Sequence, residues 1–189
     1  MRIIEAKENN LNFVLYQSFE SRLFSPIGKY VNWKLENNWD DYNELYHSVN
    51  YIESLKGIDG IWYEIHTIEK SGDIKGVLTI VGGDIEKLGD ENSLDSRDTI
   101  LLKYFHIVEK GKGYGSHWLS SIIFPYYFNK GFRKVYVSSS HPKSFGFYKR
   151  IGNEIKCYTK KSDNKLYVRD CKSFLISIDV QKKSMANTT

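Results

Sequence analysis

Lys110-Gly111-Lys112-Gly113-Tyr114-Gly115-Ser116 is the stretch whose composition points most directly to chemistry, because it follows an apolar run and opens onto helically spaced apolar residues. A strand that ends in a glycine-rich turn and continues as a helix gathers backbone N–H groups, unpaired by the helix itself, at the positive end of its dipole. Anions bind at such a concave spot. Glycine at 111, 113 and 115 lets a pyrophosphate approach the backbone, while Lys110 and Lys112 add charge that needs no fixed geometry. The same glycines would also serve a tight turn with no ligand. Two phosphate motifs fail on spacing. A Walker loop needs Ser or Thr after Gly-Lys, but Lys112 is followed by Gly113. The dinucleotide fingerprint needs its third glycine where Ser116 stands, counting from Gly111, or Trp118, counting from Gly113. Kinase and Rossmann readings therefore fall.

The chain that carries this turn has 189 residues, with 27 Lys and Arg against 23 Asp and Glu, a net charge of +4. Hydrophobic residues make up 41% and charged residues 26%, which excludes disordered, collagen-like and membrane-spanning classes and allows one core without disulfides. The small positive excess suits a phosphorylated ligand but not a nucleic acid, whose binders concentrate basic residues on one face or in runs. Lys160-Lys161 and Lys182-Lys183 fall in expected turns or the tail, where solvated charge is the default. Cys157 and Cys171 are too few for a disulfide scaffold and give no metal-ligand spacing, so no metal is expected. Met1-Arg2-Ile3-Ile4 meets Glu5 and Lys7 at once, which leaves no room for a signal peptide or spanning segment. A cytoplasmic protein without a membrane partner is the expectation.

The elements around the turn follow from periodicity. Residues 2–7 read as a strand, followed by a helix capped at Asn9 or Asn10 with Leu11, Val14, Leu15 and Phe19 on its apolar face. A Pro26–Gly28 loop leads to a second helix from Asp41, with Glu44 in capping-box position and Tyr42, Leu45, Tyr46, Val49, Ile52 and Leu55 at helical spacing. Ile61–Glu69 and Lys75–Val81 alternate as a hairpin around Ser71-Gly72-Asp73. Thr99–Ile107 is nearly continuous in apolar residues, as a central strand buried on both faces would be. After the glycine turn, Leu119, Ile122, Ile123 and Tyr126 mark a helix that Pro125 should kink. Arg133–Ser138 is a strand and Lys143–Ile151 a short helix, and Glu154–Tyr158 and Leu166–Ile178 form a closing hairpin around Ser162-Asp163-Asn164. Residues 1–180 are expected to form one domain and 181–189 a frayed tail.

Two blocks in this order resemble the GNAT superfamily of N-acetyltransferases. That family's acetyl-CoA motif, Arg/Gln-x-x-Gly-x-Gly/Ala, is matched by Lys110 to Gly115, with Lys110 in place of Arg or Gln. Its downstream block, Asn-x-x-Ala-x-x-hydrophobic-Tyr-x-x-x-Gly, is matched in spacing by His141 to Gly152. His141 replaces Asn, Ser144 replaces Ala, and Asn153 stands where Phe is usual. The resemblance covers nearly the whole chain. It implies an α/β fold with a mixed, mostly antiparallel sheet of about seven strands and four helices. It further implies that Thr99–Ile107 and Arg133–Ser138 splay apart to admit pantetheine between them. Acetyl-CoA would then be held by Phe105, His106, Ile107, Lys110, Gly111, Lys112, Gly113, Tyr114, Gly115, Ser116, His141, Ser144 and Tyr148.

Acetyl transfer to an amine needs a neutral nitrogen, stabilisation of the oxyanion and a proton for the departing thiolate. An alkylamine of pKa ~10.4 is neutral in only about one molecule in two thousand at pH 7, so a base helps. Tyr148 matches the family's tyrosine acid, the alternative being an amphipathic-helix tyrosine beside Phe147. His141 would hold pantetheine or a water, or cap the helix. For the base, Glu64 is preferred; His66 shares a strand face with it and Trp62, and His106 ends the central strand. A backbone N–H near Phe105 or Ile107 is the expected oxyanion donor. The acceptor is expected to be an amine of a small molecule or peptide. Its place would be beside Trp33, Trp39 and the acidic connection of Asp84, Glu86, Asp90, Glu91, Asp95 and Asp98. A non-catalytic acyl-CoA-binding or interaction module is the alternative, and the protein would be a monomer or homodimer.

Overall fold

The computed structural model describes residues 1–37, 42–89, 94–162, 165–166 and 168–179. Asn9 and Asn10 adopt φ of 48° and 63°, and join β1 (Arg2–Glu8) to β2 (Leu11–Tyr16) with Glu8 opposite Leu11. Two successive positive φ values make the two-residue hairpin turn whose twist suits antiparallel strands, and Asn tolerates that conformation. The expected helix over Leu11, Val14, Leu15 and Phe19 is therefore a strand. Both faces of β2 are covered, Phe13 joining one core cluster and Val14 the other, so its apolar residues run consecutively and imitate helical spacing.

The expected Pro26–Gly28 loop lies inside α1 (Ser25–Glu36), with Pro26 in the first turn, where a missing N–H costs nothing. The second helix, α2 (Glu44–Leu55), is capped by Asn43, whose side chain accepts from the Tyr46 N–H at 3.0 Å. Asp41, its expected start, lies outside the described residues, as do Asp163 and Asn164 of the last expected turn and the 181–189 tail. The hairpin of β3 (Ile61–Lys70) and β4 (Asp73–Gly83) turns at Ser71-Gly72. Strand β5 (Thr99–Ile107) has the bounds expected of it, but only its first four residues are buried.

Beyond the glycine turn, α3 (Tyr114–Trp118), a π turn (Leu119–Ile123) and α4 (Phe124–Asn129) form one continuous helix. Pro125 has no N–H to give to the preceding turn, and the disturbance expected there is taken up as this wide turn, in which the Phe124 N–H reaches Leu119 O. Strand β6 (Lys134–Ser139), helix α5 (Pro142–Ile151), and strands β7 (Asn153–Lys161) and β8 (Val168–Ser177) complete the order.

The eight strands, one more than expected, form one sheet in the order β1-β2-β3-β4-β5-β6-β8-β7, antiparallel except for β5–β6. Alternate residues feed two cores. Leu78, Ile80, Ile100 and Leu102 pack with Trp118, Ile123 and Tyr127 of the α3–α4 helix and Tyr148 of α5. Val77, Val81 and Leu101 pack with Ile27 and Val31 of α1 and Ile52 of α2. Burying one such aliphatic side chain contributes about 1.5–3 kcal/mol, against about 0–1 kcal/mol for an exposed ion pair. The two clusters therefore hold the helices on the sheet, not surface pairs such as Arg22–Glu20.

The site is positioned where β5 leaves β6. The two strands pair only from Thr99↔Lys134 to Leu101↔Tyr136. Past that point β5 bulges: Lys103 faces Thr79 and His106 faces Val77, so Tyr104, at φ 51°, and Phe105 share Leu78 as partner. An extra residue bends its strand, and the remainder of β5 parts from β6 as a wedge.

Candidate active site

The glycine turn stands at the end of that wedge. Gly111 and Gly113 take φ of 81° and 76°, values that only glycine adopts freely, and a Cβ at either would meet open space. The first intrahelical bond runs from the His117 N–H to Gly113 O, and no side chain caps α3. The amides of Tyr114, Gly115 and Ser116 thus precede the helical ladder, as an anion site requires. A Cβ at Gly115 would lie 3.1 Å from Phe105 Cζ, so glycine lets the turn close onto β5. The two lysines divide: Lys112 pairs with Glu109 at 2.5 Å, while Lys110 Nζ lies 4.2 Å from the centroid of the Tyr30 ring. Burial and the neighbouring Lys143 lower the Lys110 pKa.

Helix α5 forms the other wall. Its first residues are tied to β6 by Ser144, whose hydroxyl meets Ser139 Oγ at 2.8 Å and donates to His141 O at 2.8 Å. His141 is the N-cap residue, and its Nε2 is hydrogen-bonded to the Tyr30 hydroxyl. Two turns further on, Tyr148 is 6% exposed and packs against Phe147 and Phe174. Among the described residues its hydroxyl has no hydrogen-bond partner, and burial raises its pKa well above the ordinary tyrosine value. Phe105 lies beside Phe147 and Trp118, with ring centroids 5.9 and 6.0 Å away. Ile107 pairs with Gly76 across β4.

His106 points to the α1 side of the sheet, its ring 5.3 Å from that of Tyr30. Desolvation foremost, then the charges of Lys110, His141 and Lys34, push its pKa down to about 3. It is neutral at physiological pH and weakly basic.

Glu64 and His66 are placed elsewhere. Both face α4 in a buried chain: His66 Nδ1 donates to Glu5 at 2.9 Å, its Nε2 meets the Tyr127 hydroxyl at 2.7 Å, and Tyr127 donates to Glu64 at 2.7 Å. Lys130 completes the chain on Glu64 at 2.9 Å. Glu64 thus sits two strands from β5, with Tyr127 and Lys130 as partners, and is not brought together with His106, His141 or Tyr148. The acidic connection is also separate. Asp84 pairs with Lys87, Asp95 with Arg97 and Asp98 with Lys134, at the start of β5, whereas Trp33 stands with Tyr30 near the far end. Trp39, Asp90 and Glu91 lie outside the described residues.

The sequence reading missed Tyr30, which touches both walls of the wedge from α1. Its ring stacks on Trp33, with centroids 6.0 Å apart, and its hydroxyl meets His141. Behind it, buried Lys34 pairs with Glu44 at 2.6 Å and donates to Tyr42 O at 2.5 Å. Arg169 of β8 lies 4.9 Å over the Tyr42 ring. The Ser25-Pro26 start of α1 was the available signal: Pro in a first turn announces a helix, and a helix would carry Tyr30, Trp33 and Lys34 on adjoining positions.

No protein-family model matches the sequence, and no curated protein matches it. Solved structures do match the fold. A GNAT family acetyltransferase from Elizabethkingia anophelis with acetyl-CoA bound superposes with a TM-score of 0.53 at 13% identity, over 90% of this chain and 99% of the other. A candidate acetyltransferase of the GNAT family from Desulfovibrio desulfuricans gives 0.59 at 13% identity, over 89% and 99%. A candidate acetyltransferase from Salmonella typhimurium, with its cofactor acetyl-CoA, gives 0.54 at 14% identity, over 93% and 99%. At these identities the likeness is one of fold, and the fold is that of the GNAT acetyltransferases.

Proposed function

We propose that this chain, which has the GNAT fold, is an acetyl-CoA-dependent N-acetyltransferase in which a primary amine of a small molecule or peptide attacks the thioester directly. One observation carries the reading: a glycine turn with uncapped first-turn amides lies at the end of a wedge between two parallel strands, with Tyr148 on the helix that follows the second of them. The open space in front of Gly111 and Gly113 suits a pyrophosphate, and Lys110 supplies a cation beside it. Pantetheine fits the wedge as an added strand, with backbone groups of the β5 bulge as its partners. In this reading Tyr148 gives its proton to the departing thiolate, a task for which a buried, protonated phenol is suited. Residues Tyr30, Trp33 and Tyr42 form the wall on which the acceptor rests.

Calorimetric titration with acetyl-CoA, paired with thiol release on a panel of primary amines, tests the reading. The wild-type protein is expected to bind and to release thiol. Gly113→Glu should bind at least tenfold more weakly, because it sets a carboxylate where the pyrophosphate lies and strains a left-handed position. Unchanged affinity in a folded Gly113→Glu protein removes the anion site. Tight binding without thiol release on any amine supports a non-catalytic acyl-CoA module instead.

A further inference from the structure

We propose that Tyr30 is the group that takes the proton from the acceptor amine, acting as a phenolate held by His141 and Lys110. The inference rests on the transferase reading above and supplies the base that reading lacks. Glu64 is committed to Lys130 and Tyr127 beneath α4, and neutral His106 is too weak a base. Tyr30, a side chain that can ionise, reaches both walls, with His106 on one side and His141 on the other.

The charged and titratable neighbours favour its ionised form. From the glycine turn, Lys110 Nζ lies 4.2 Å from the ring centroid. From α1 itself, Lys34 Nζ lies 5.4 Å away, with its charge offset by Glu44 at the start of α2. From α5, His141 faces the hydroxyl through Nε2 and Lys143 adds charge near Lys110. His106 approaches from β5 without charge, and Arg169 stands beyond Tyr42. His141 is also the N-cap of α5. A helix N-terminus disfavours an imidazolium and favours a negative oxygen nearby, so His141 serves as hydrogen-bond donor to Tyr30 and not as proton sink. The same cations disfavour an ammonium beside Tyr30, which drives the bound amine towards its neutral form.

The step then balances. As the N–C bond forms, the nitrogen's extra proton passes to Tyr30 Oη. The C–S bond breaks with its electron pair on sulfur, which takes a proton from Tyr148. Tyr30 returns its proton to solvent and Tyr148 regains one, so the net change is one proton moved from nitrogen to sulfur.

Ultraviolet titration of phenolate absorbance, wild type minus Tyr30→Phe, tests this on the protein alone. The expected result is a tyrosine ionising at least one unit below the ordinary value of about 10, and returning upward in Lys110→Gln. Ionisation at or above the ordinary value overturns the proposal. In turnover, Tyr30→Phe should lower kcat/KM by about 10²–10⁴-fold for alkylamines and anilines alike, since either nitrogen must shed a proton as the N–C bond forms, with acetyl-CoA affinity unchanged. With an aniline, which is unprotonated at pH 7 and above, the wild-type rate should rise through the Tyr30 ionisation and the variant's should not. An aniline profile without that rise in the wild type, or with the same rise in Tyr30→Phe, would mark a packing role and overturn it. Failure of the wild type to bind acetyl-CoA is a different result, overturning the transferase reading and the proposal with it.

Discussion

Tyr148 shows how far a single residue can be read. Its ring is held by Phe147 and Phe174 while its hydroxyl has no described partner, so Tyr148→Phe keeps the packing and removes only the hydroxyl. Steady-state kinetics should show kcat lower by about 10²–10⁴-fold with little change in KM for acetyl-CoA; a loss under about threefold, well short of that range, reassigns Tyr148 to the core. The places of Tyr148 and the glycine turn in the fold were legible because each belongs to a local pattern: glycines before a helix, or a tyrosine at fixed spacing after a strand. Tyr30 was not. Its surroundings come from residues 106, 110 and 141, and no pattern within α1 announces contacts so distant in sequence. Glu64 failed for the converse reason. Alternation placed it correctly on one face of β3, but only the packing of α4 decides that this face carries Tyr127 and Lys130.

Among the elements, the β3–β4 and β7–β8 hairpins follow from strand runs and turn residues, β5 from its continuous apolar run and the α3–α4 helix from helical spacing, whereas β2 and α1 do not. A strand covered on both faces loses the alternation that marks strands; the decisive signal was the Asn9-Asn10 pair, read as a helix cap although it also suits a two-residue turn. The turn can be tested directly. Asn10→Ala should lower stability by about 1–2 kcal/mol, the cost of a left-handed backbone for an ordinary residue, while Asn10→Gly should cost little or stabilise. Urea denaturation of both variants measures the difference. Equal effects would mean that the turn does not depend on its φ values.

For the whole molecule, the buried titratable groups set how stability follows pH. The His106 pKa is lowered from 6.5 to about 3, so the unfolded chain takes up this proton before the folded one does. The stability His106 contributes is complete above 6.5 and is lost as pH falls from there towards about 3. Between pH 7 and 5 the loss should reach about 2 kcal/mol. Urea midpoints at the two values should differ less in His106→Gln than in the wild type. Glu69 acts lower on the scale. Burial alone would raise it, but bonds from Tyr16, Arg2 and Thr67 win and lower it from 4.5, so its contribution fades only once pH drops below that value. The acidic connection was expected to gather at the acceptor site; Asp84, Asp95 and Asp98 pair instead with Lys87, Arg97 and Lys134, since charge along a sequence does not say which cations the fold brings beside it.

The strand order also dictates when the molecule can be finished. Strands β1 to β5 pair with their neighbours in sequence, but β6 pairs with β8, about which β7 then closes. During synthesis the first five strands can assemble as they emerge. Val135, Val137 and the α5 tyrosine, by contrast, wait for Phe174 and Ile176 to cover them. A chain stopped before residue 168 would display β6 as an open sheet edge beside an uncovered core, the state from which nascent proteins aggregate or are captured by chaperones.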